Sequence, residues 1–334
     1  MGAIITSRIG IVTQLSEKVG YKSGLTLSLA DFQRLLKDEE NYIHYFHGEM
    51  EKLVRIRSEE FNQMFGVMLY KVGVTEKIDL GFLLAVSDDP SLAEMTLQIA
   101  PLFVQFLDKA TTEPVESTAI DPSPFFEQVL QHFGETGLRA ALDMSRRFNR
   151  HLENSLWTRS RRINWEDTRD LDELFATEKI GGKHGNYFDQ RFINFLDSNF
   201  DSIDEVNWRQ FEGLTAEFLS RAGFRVEIGP GRDDGNVDIR AWSNDLGSDL
   251  PPTFLVQCKR QKEKVGKVVV KALWADMQDE SVDSGLIVTT SALAPGARLV
   301  SSARGYNITE ADRDTLREWI SAMRTPERGV ILGE

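Results

Sequence analysis

Glu212, Asp238 and the run Gln257-Cys258-Lys259 are the residues of this chain whose types and spacing could do chemistry together. One acid sits in a helix-like stretch, one aspartate ends a polar loop, and a lysine closes a strand-like run. Brought to one place, such groups can hold a divalent cation and a water against a phosphodiester. Hard oxygens suit the cation, and an ammonium suits the negative charge that develops on phosphate.

The elements that must position them can be read from periodicity. In Phe254-Leu255-Val256-Gln257-Cys258-Lys259 successive side chains alternate, so Phe254, Val256 and Cys258 share a core-facing side while Gln257 and Lys259 face out together. Gly235-Asn236-Val237-Asp238-Ile239-Arg240 reads as a turn entering a β-run, with Val237 and Ile239 on one face and Asp238 on the other. If the two runs are neighbouring strands, Asp238 projects to the side of Gln257 and Lys259. Upstream, Phe211, Leu214 and Phe218 recur at steps of three and four, which predicts an amphipathic helix from Trp208 that closes at Gly223. Glu212 then lies at the edge of its buried face.

Phe211-Glu212, Gly223-Phe224, Asp234-Gly235-Asn236-Val237-Asp238-Ile239, Val256-Gln257-Cys258-Lys259-Arg260 and Gly285-Leu286-Ile287-Val288-Thr289-Thr290-Ser291, in this order, resemble the catalytic domain of Mrr-like restriction endonucleases. That family belongs to the PD-(D/E)XK nuclease superfamily. The resemblance runs from about residue 207 to about residue 319. Two departures stand out: Asn236 replaces a second glycine, and Ser243–Pro252 is longer and more acidic than a tight hairpin needs.

The resemblance implies that Asp238 is the principal metal ligand, with Glu212 as a supporting acid and the carbonyl of Cys258 completing the shell. It implies that Lys259 positions the attacking water and stabilises charge on the phosphoryl group. Gln257 stands where many superfamily members have Asp or Glu, so it contributes an oxygen or orients water without adding charge, and a one-metal site is expected. The implied cofactor is Mg²⁺ or Mn²⁺, and the implied partner is DNA. Taken singly, Asp238 reads as a solvated loop residue, Lys259 as a strand-edge charge and Glu212 as a surface glutamate; the ordered blocks weigh against that.

Composition bounds the remaining readings. With 334 residues and 41% hydrophobic content the chain can bury two cores. A single cysteine, Cys258, excludes an intramolecular disulfide and suits a reducing compartment, so a cytoplasmic location is expected. No apolar run reaches the ~20 residues of a membrane span, and the first residues lack the basic start and long apolar core of a signal peptide. Met1–Thr6 fits only the loose myristoylation pattern.

A net charge of −13 is unfavourable for DNA binding, which draws on Lys and Arg contacts to phosphate, so cations must be concentrated locally. Arg260, Lys262, Lys264, Lys267 and Lys271 follow the lysine of the proposed site and are assigned to nucleic-acid contact. Arg146, Arg147, Arg150, Arg159, Arg161 and Arg162, interleaved with Trp157 and Trp165, form a second cluster, read equally as a nucleic-acid contact or as a solvated face paired with the acids of Glu166–Glu173.

The expected fold is a mainly α-helical domain over residues 1–200, then an α/β restriction-endonuclease-like domain with a mixed sheet flanked by helices over 205–323, and a tail over 324–334. Helices are predicted over Leu29–Lys71 with Ser28 as cap, over Pro90–Lys109, and from Asp121-Pro122-Ser123-Pro124 to about Leu156. Thr111–Pro122 reads as a break and Gly181–Asn186 as a turn. In the second domain Val265–Met277 and Ala294–Arg304 read as helices and Thr309–Met323 as a closing helix. His44, His47 and Glu51 have helical spacing, but aromatic neighbours favour packing over metal binding; His184 reads as a loop histidine.

Three functions follow. The first is a metal-dependent DNA endonuclease of restriction or antiphage defence, with the helical half sensing a trigger, a modified base or an assembly partner. The second is a DNA-binding module on an inactive nuclease scaffold, and the third a structural protein that oligomerises through its helical half. One site per chain favours a homo-oligomer for cutting both strands, and an activating ligand or phage component is compatible with the first reading.

Overall fold

The computed structural model describes residues 2–76, 78, 89–112, 120–181, 184–231, 237–243 and 250–324. Its chain separates into two units, Met1–Thr168 and Arg169–Thr325. Several expected features fall wholly or partly outside the described residues: the Asp234-Gly235-Asn236 turn, the middle of Ser243–Pro252, residues 113–119 of the expected break, the Gly182-Lys183 pair, and the tail from 325 onward.

In the first unit strand β1 (Ala3–Ser7) leads into helix α1 (Arg8–Ser23), followed by α2 (Leu29–Leu35), strand β2 (Leu53–Arg57), α3 (Ser58–Lys71), α4 (Ala93–Thr112) and α5 (Ser123–Asn154). Ser28 caps α2 as expected: its hydroxyl accepts from the Asp31 N–H, and the Asp31 carboxylate accepts from the Ser28 N–H at 2.8 Å. Asp121 accepts from the Ser123 N–H at 2.9 Å at the start of α5. Phe103, Phe125, Val129 and Met144 build a core between α4 and α5.

The region is mainly helical, yet the continuous helix expected over Leu29–Lys71 does not form. Helix α2 ends at Leu35, Glu40–Ile43 and His44–Phe46 are single turns, and β2 pairs antiparallel with β1, Ile5 opposite Arg55. Leu53-Val54-Arg55-Ile56-Arg57 alternates, with Ile56 buried and both arginines exposed. That period of two was masked by apolar residues that also fit steps of three and four.

The second unit contains α6 (Gln190–Ser198), α7 (Trp208–Arg221), β3 (Phe224–Ile228), β4 (Ile239–Ser243), β5 (Phe254–Lys259), α8 (Lys267–Asp279), β6 (Gly285–Thr289), α9 (Pro295–Ala303), β7 (Ile308–Ala311) and α10 (Arg313–Ala322). The five strands lie in the order β3-β4-β5-β6-β7, antiparallel from β3 to β5 and parallel from β5 to β7. The expected mixed sheet with flanking helices is therefore present. Helix α7 closes where predicted, at Gly223 with φ +94°, a conformation glycine adopts without strain. The closing helix expected over Thr309–Met323 is shorter, because Ile308–Ala311 pairs with β6 and Asp312 starts α10 by accepting from the Thr315 N–H at 3.2 Å.

Helices cover both faces of the sheet. Leu255 and Ile287 pack with Val270, Leu273 and Met277 of α8 and Ala297 of α9, while Cys258 lies 3.6 Å from the Thr215 hydroxyl of α7. Gln257, expected to face outward, is consequently 2% exposed. Lys259, at the end of β5, is half-buried.

Candidate active site

Asp238 precedes β4, and its backbone does something a regular strand residue cannot. Its N–H donates to Val256 O of β5 at 3.0 Å, while its carbonyl accepts from Gly229 N, just past β3, at 2.8 Å. In a regular strand both groups of one residue point to the same neighbour, so the chain twists here as at a β-bulge. The twist also explains Val237, which packs with Leu255 and α8 instead of sharing a face with Ile239, the residue opposite Val256. Alternation expected across Val237 and Ile239 fails because Val237 lies before the ladder begins.

The Asp238 side chain is held from β5. Its Oδ2 accepts from the Cys258 backbone N–H at 2.6 Å and from the Gln257 side-chain amide. Charge-assisted bonds of this kind are short and orient the carboxylate. Along β5, Leu255 N and Lys259 O bond toward β6, whereas Val256 O and Cys258 N bond toward Asp238. Backbone alternation therefore turns the Cys258 carbonyl to the same edge as the Asp238 carboxylate.

Glu212 is more deeply placed than its position at the edge of a stripe suggested, at 4% exposure. Its Oε2 accepts from Arg209 Nη1 at 2.5 Å, and Arg209 Nη2 donates to Gly229 O at 2.7 Å. Gly231, with φ +103°, comes close to Trp208 and Arg209; a Cβ there would lie 3.3 Å from the indole. Arg209 was missed as a site residue because an i,i+3 pair on a helix is an ordinary surface feature, and that spacing was its only signal.

Cys258 registers all three charged groups. Burial pushes its thiol well above the usual range, the Asp238 and Glu212 carboxylates add to the rise, and the Thr215 hydrogen bond and the Lys259 ammonium oppose it. A thiol so placed is a core filler, as its strand position suggests. The Lys259 ammonium has no hydrogen bond or ion pair among the described residues. Also among the described residues, no three His, Cys, Asp or Glu side chains gather into a metal-holding group, His44, His47 and Glu51 included. The oxygens assembled here are one carboxylate, an amide neighbour and a backbone carbonyl, a hard-donor set that suits Mg²⁺, which takes one or two carboxylates and keeps water.

Of the cations after β5, Lys262, Lys264, Lys267 and Lys271 are exposed, as is Arg260, which donates to the Asp204 carbonyl at 2.7 Å. The second cluster belongs to the other unit and is largely engaged in packing. Arg147 pairs with Asp143 at 3.0 Å, Arg161 lies over the Tyr21 ring at 4.6 Å, Arg150 and Arg162 are half-buried, and Arg146 and Arg159 are exposed. Trp165 is buried and donates its indole N–H to Lys22 O at 3.3 Å, leaving Trp157, at 76% exposure, as the accessible ring of that interleaved pair.

A further buried acid went unremarked. Glu217 of α7 is 2% exposed and its Oε2 accepts from the backbone N–H groups of Asn186 and Tyr187 at 2.8 Å and of Phe188 at 3.3 Å. It anchors the segment after His184, which sits in a left-handed conformation with φ 59°. No sequence signal announces such bonds, because the partners are main-chain groups.

No helix among the described residues is long and apolar enough to cross a membrane. The chain is 30% identical over 90 residues to an uncharacterised protein, y4cE, of Sinorhizobium fredii (strain NBRC 101917 / NGR234), a match covering 27% of this chain and 23% of that relative. A structural likeness to the MspJI restriction endonuclease in complex with a 27-mer oligonucleotide has 20% identity and a TM-score of 0.27, and covers 40% of this chain and 30% of that one. The family described as Restriction endonuclease, Mrr_cat, matches residues 203–320. Over that C-terminal stretch the chain carries a restriction endonuclease domain of the Mrr_cat family, as the five ordered blocks imply.

Proposed function

We propose that the chain is a metal-dependent DNA endonuclease acting in restriction or antiphage defence in the cytoplasm. Asp238, Gln257, Cys258 and Lys259 are its site, with Glu212 in support. The observation that carries the reading is the Asp238 carboxylate, oriented by the Cys258 N–H and the Gln257 amide, on a strand whose next residue, Lys259, has an ammonium with no hydrogen bond or ion pair among the described residues. Asp238 and the Cys258 carbonyl would hold a Mg²⁺ or Mn²⁺ ion, with Glu212 as a further acid. Such an ion supplies Lewis acidity and a template for phosphate and water.

The chain's own groups divide the remaining work. Lys259 places positive charge where phosphoryl oxygens gain negative charge, and Gln257 keeps the aspartate turned to the edge of β5. Arg260, Lys262, Lys264, Lys267 and Lys271 attract the strand electrostatically, which the acidic remainder of the chain otherwise opposes. An assembly of two copies would let both strands be cut. The first unit would sense the trigger, whether a ligand, a modified base or a phage component.

The test is incubation of methylated and unmethylated plasmids with Mg²⁺ or Mn²⁺, comparing wild type with Lys259→Ala and Asp238→Ala. Metal-dependent nicking is expected from wild type, reduced about 10²–10³-fold in each folded variant. Salt-sensitive binding without nicking under either metal would favour the inactive-scaffold reading.

A further inference from the structure

Thr289-Thr290-Ser291 belongs to the last resembling block, yet the site described above gives these residues no task. Their hydroxyls all turn to the chain that follows Lys259. Thr289 Oγ1 donates to Lys259 O at 2.8 Å, and Thr290 N donates to the same carbonyl at 3.3 Å. Thr290 Oγ1 accepts from Gln261 N at 3.0 Å and lies 3.1 Å from Gln261 O. Ser291 Oγ donates to Glu263 O at 2.8 Å, and Val265 N donates to Ala292 O at 2.9 Å. Every second residue from Lys259 to Val265 is thus tacked to the continuation of β6.

The backbone ladder between β5 and β6 ends at Lys259, opposite Thr289, and side-chain hydroxyls continue it. Thr289 and Thr290 are 0% and 2% exposed, so these are enclosed bonds, not solvent-facing ones. The alternate residues Arg260, Lys262 and Lys264 are exposed, and so is Glu263, while Gln261 is half-buried and Val265 buried. A loop carrying several cations would otherwise spread by mutual repulsion and lose conformational entropy on meeting a nucleic acid.

We infer that Thr289, Thr290 and Ser291 are positioning residues that fix the end of β5 at Lys259 and hold Arg260, Lys262 and Lys264 as a preformed strand for the phosphates of nucleic acid. The inference rests on the endonuclease reading for its catalytic half only. Binding of phosphates by a preordered loop needs no cleavage.

The test uses the full chain and a labelled duplex in EDTA, with log affinity measured against log salt, alongside plasmid nicking with Mg²⁺. Each phosphate contact contributes about 0.9 to the salt slope, so Thr290→Val combined with Ser291→Ala is expected to lower the slope by about 1–2, as Lys262→Ala lowers it by about 1. Nicking at saturating DNA falls by about tenfold or more, since displacement of a catalytic group on the ångström scale is costly. Thr290→Ser, which keeps the hydroxyl, retains both values. Ser291→Ala alone, at a half-exposed position, supplies the same reading should the double variant not fold, with faster trypsin cleavage at Lys262 and Lys264 as its local signature. An unchanged slope and unchanged trypsin sensitivity with the hydroxyls removed overturns the inference, as does an equal loss in Thr290→Ser. If wild type binds the duplex but nicks nothing, the endonuclease reading fails while the slope still decides the loop; if it binds no duplex, both fail.

Discussion

Arg209 ties Glu212 to the end of β3: one terminal nitrogen reaches the Glu212 carboxylate at 2.5 Å and the other the Gly229 carbonyl at 2.7 Å. Gly229 N–H in turn holds the Asp238 carbonyl at 2.8 Å. One guanidinium therefore links the helix acid to the twist that aims the strand acid.

Replacing Arg209 by alanine withdraws that guanidinium from Glu212, a residue only 4% exposed, and the expected loss of stability is up to about 3–5 kcal/mol. Glu212→Gln in the same background should recover most of it by removing the charge. Arg209→Lys falls between, since one ammonium cannot span both acceptors with the fork's geometry. Urea unfolding followed by tryptophan fluorescence measures all three, and an alanine variant as stable as wild type would contradict the linkage.

Gln257 donates to the Asp238 carboxylate, so Gln257→Glu sets two acids face to face in a site 2% exposed at that position. Repulsion lowers the melting temperature in EDTA, by about 2–4 °C for each kcal/mol lost in a unit of this size. Mg²⁺ is then expected to raise it further than in wild type, because a second carboxylate strengthens ion binding and bound ligand stabilises the folded state. Equal Mg²⁺ shifts in the two proteins would argue against a metal position beside residue 257.

Where order along the chain sufficed, the sequence was a good guide. Phe211 and Leu214 lie on the buried stripe of α7, Gly223 ends it, and the alternation of Phe254–Lys259 delivers Cys258 to Thr215 and Lys259 to the strand's end. Period alone cannot report which faces become covered, so Gln257 was expected in solvent although α8 and α9 pack on its side of the sheet. Nor can it report bonds to main-chain atoms. The roles of Glu217 and Thr290 depend on segments about thirty residues away, and those of Arg209 and Val237 on a backbone twist at Asp238.

Cys258 offers a pH-dependent readout of the site. Its folded-state thiol is raised, chiefly by burial and then by Asp238. The unfolded thiol ionises near its ordinary ~8.5, so this contribution to stability is complete below that pH and is lost as pH rises above it toward the folded value. Iodoacetamide at pH 8 should label the native chain at least about tenfold more slowly than the denatured chain. Cys258→Ser should flatten the alkaline decline. Rapid labelling of native protein would show that the sulfur is not enclosed between β5 and α7.

In the first unit Lys22 provides the opposite pH signature. The residue is 4% exposed and its ammonium donates to Thr158 O at 3.0 Å, Thr158 Oγ1 at 3.2 Å, Leu152 O at 3.5 Å and Ser160 O, joining α1 to the chain that leaves α5. Burial lowers its pKa to about 8, against some support from Glu153. Between that value and the ~10.4 of an unfolded lysine the unfolded chain binds more protons, so the pH-dependent part of this residue's contribution to stability rises with pH through the window and is lost as pH falls through 8, leaving the part carried by its hydrogen bonds. The difference in unfolding free energy between wild type and Lys22→Met, measured from pH 7 to pH 10, should therefore shift in favour of wild type as pH increases. Lys22→Met also leaves the carbonyls of residues 152, 158 and 160 without these donors, and a net destabilisation of about 1–3 kcal/mol is expected at pH 7. A difference that stays flat across the range would mean that Lys22 remains fully charged in its enclosed position, with the four oxygens outweighing desolvation.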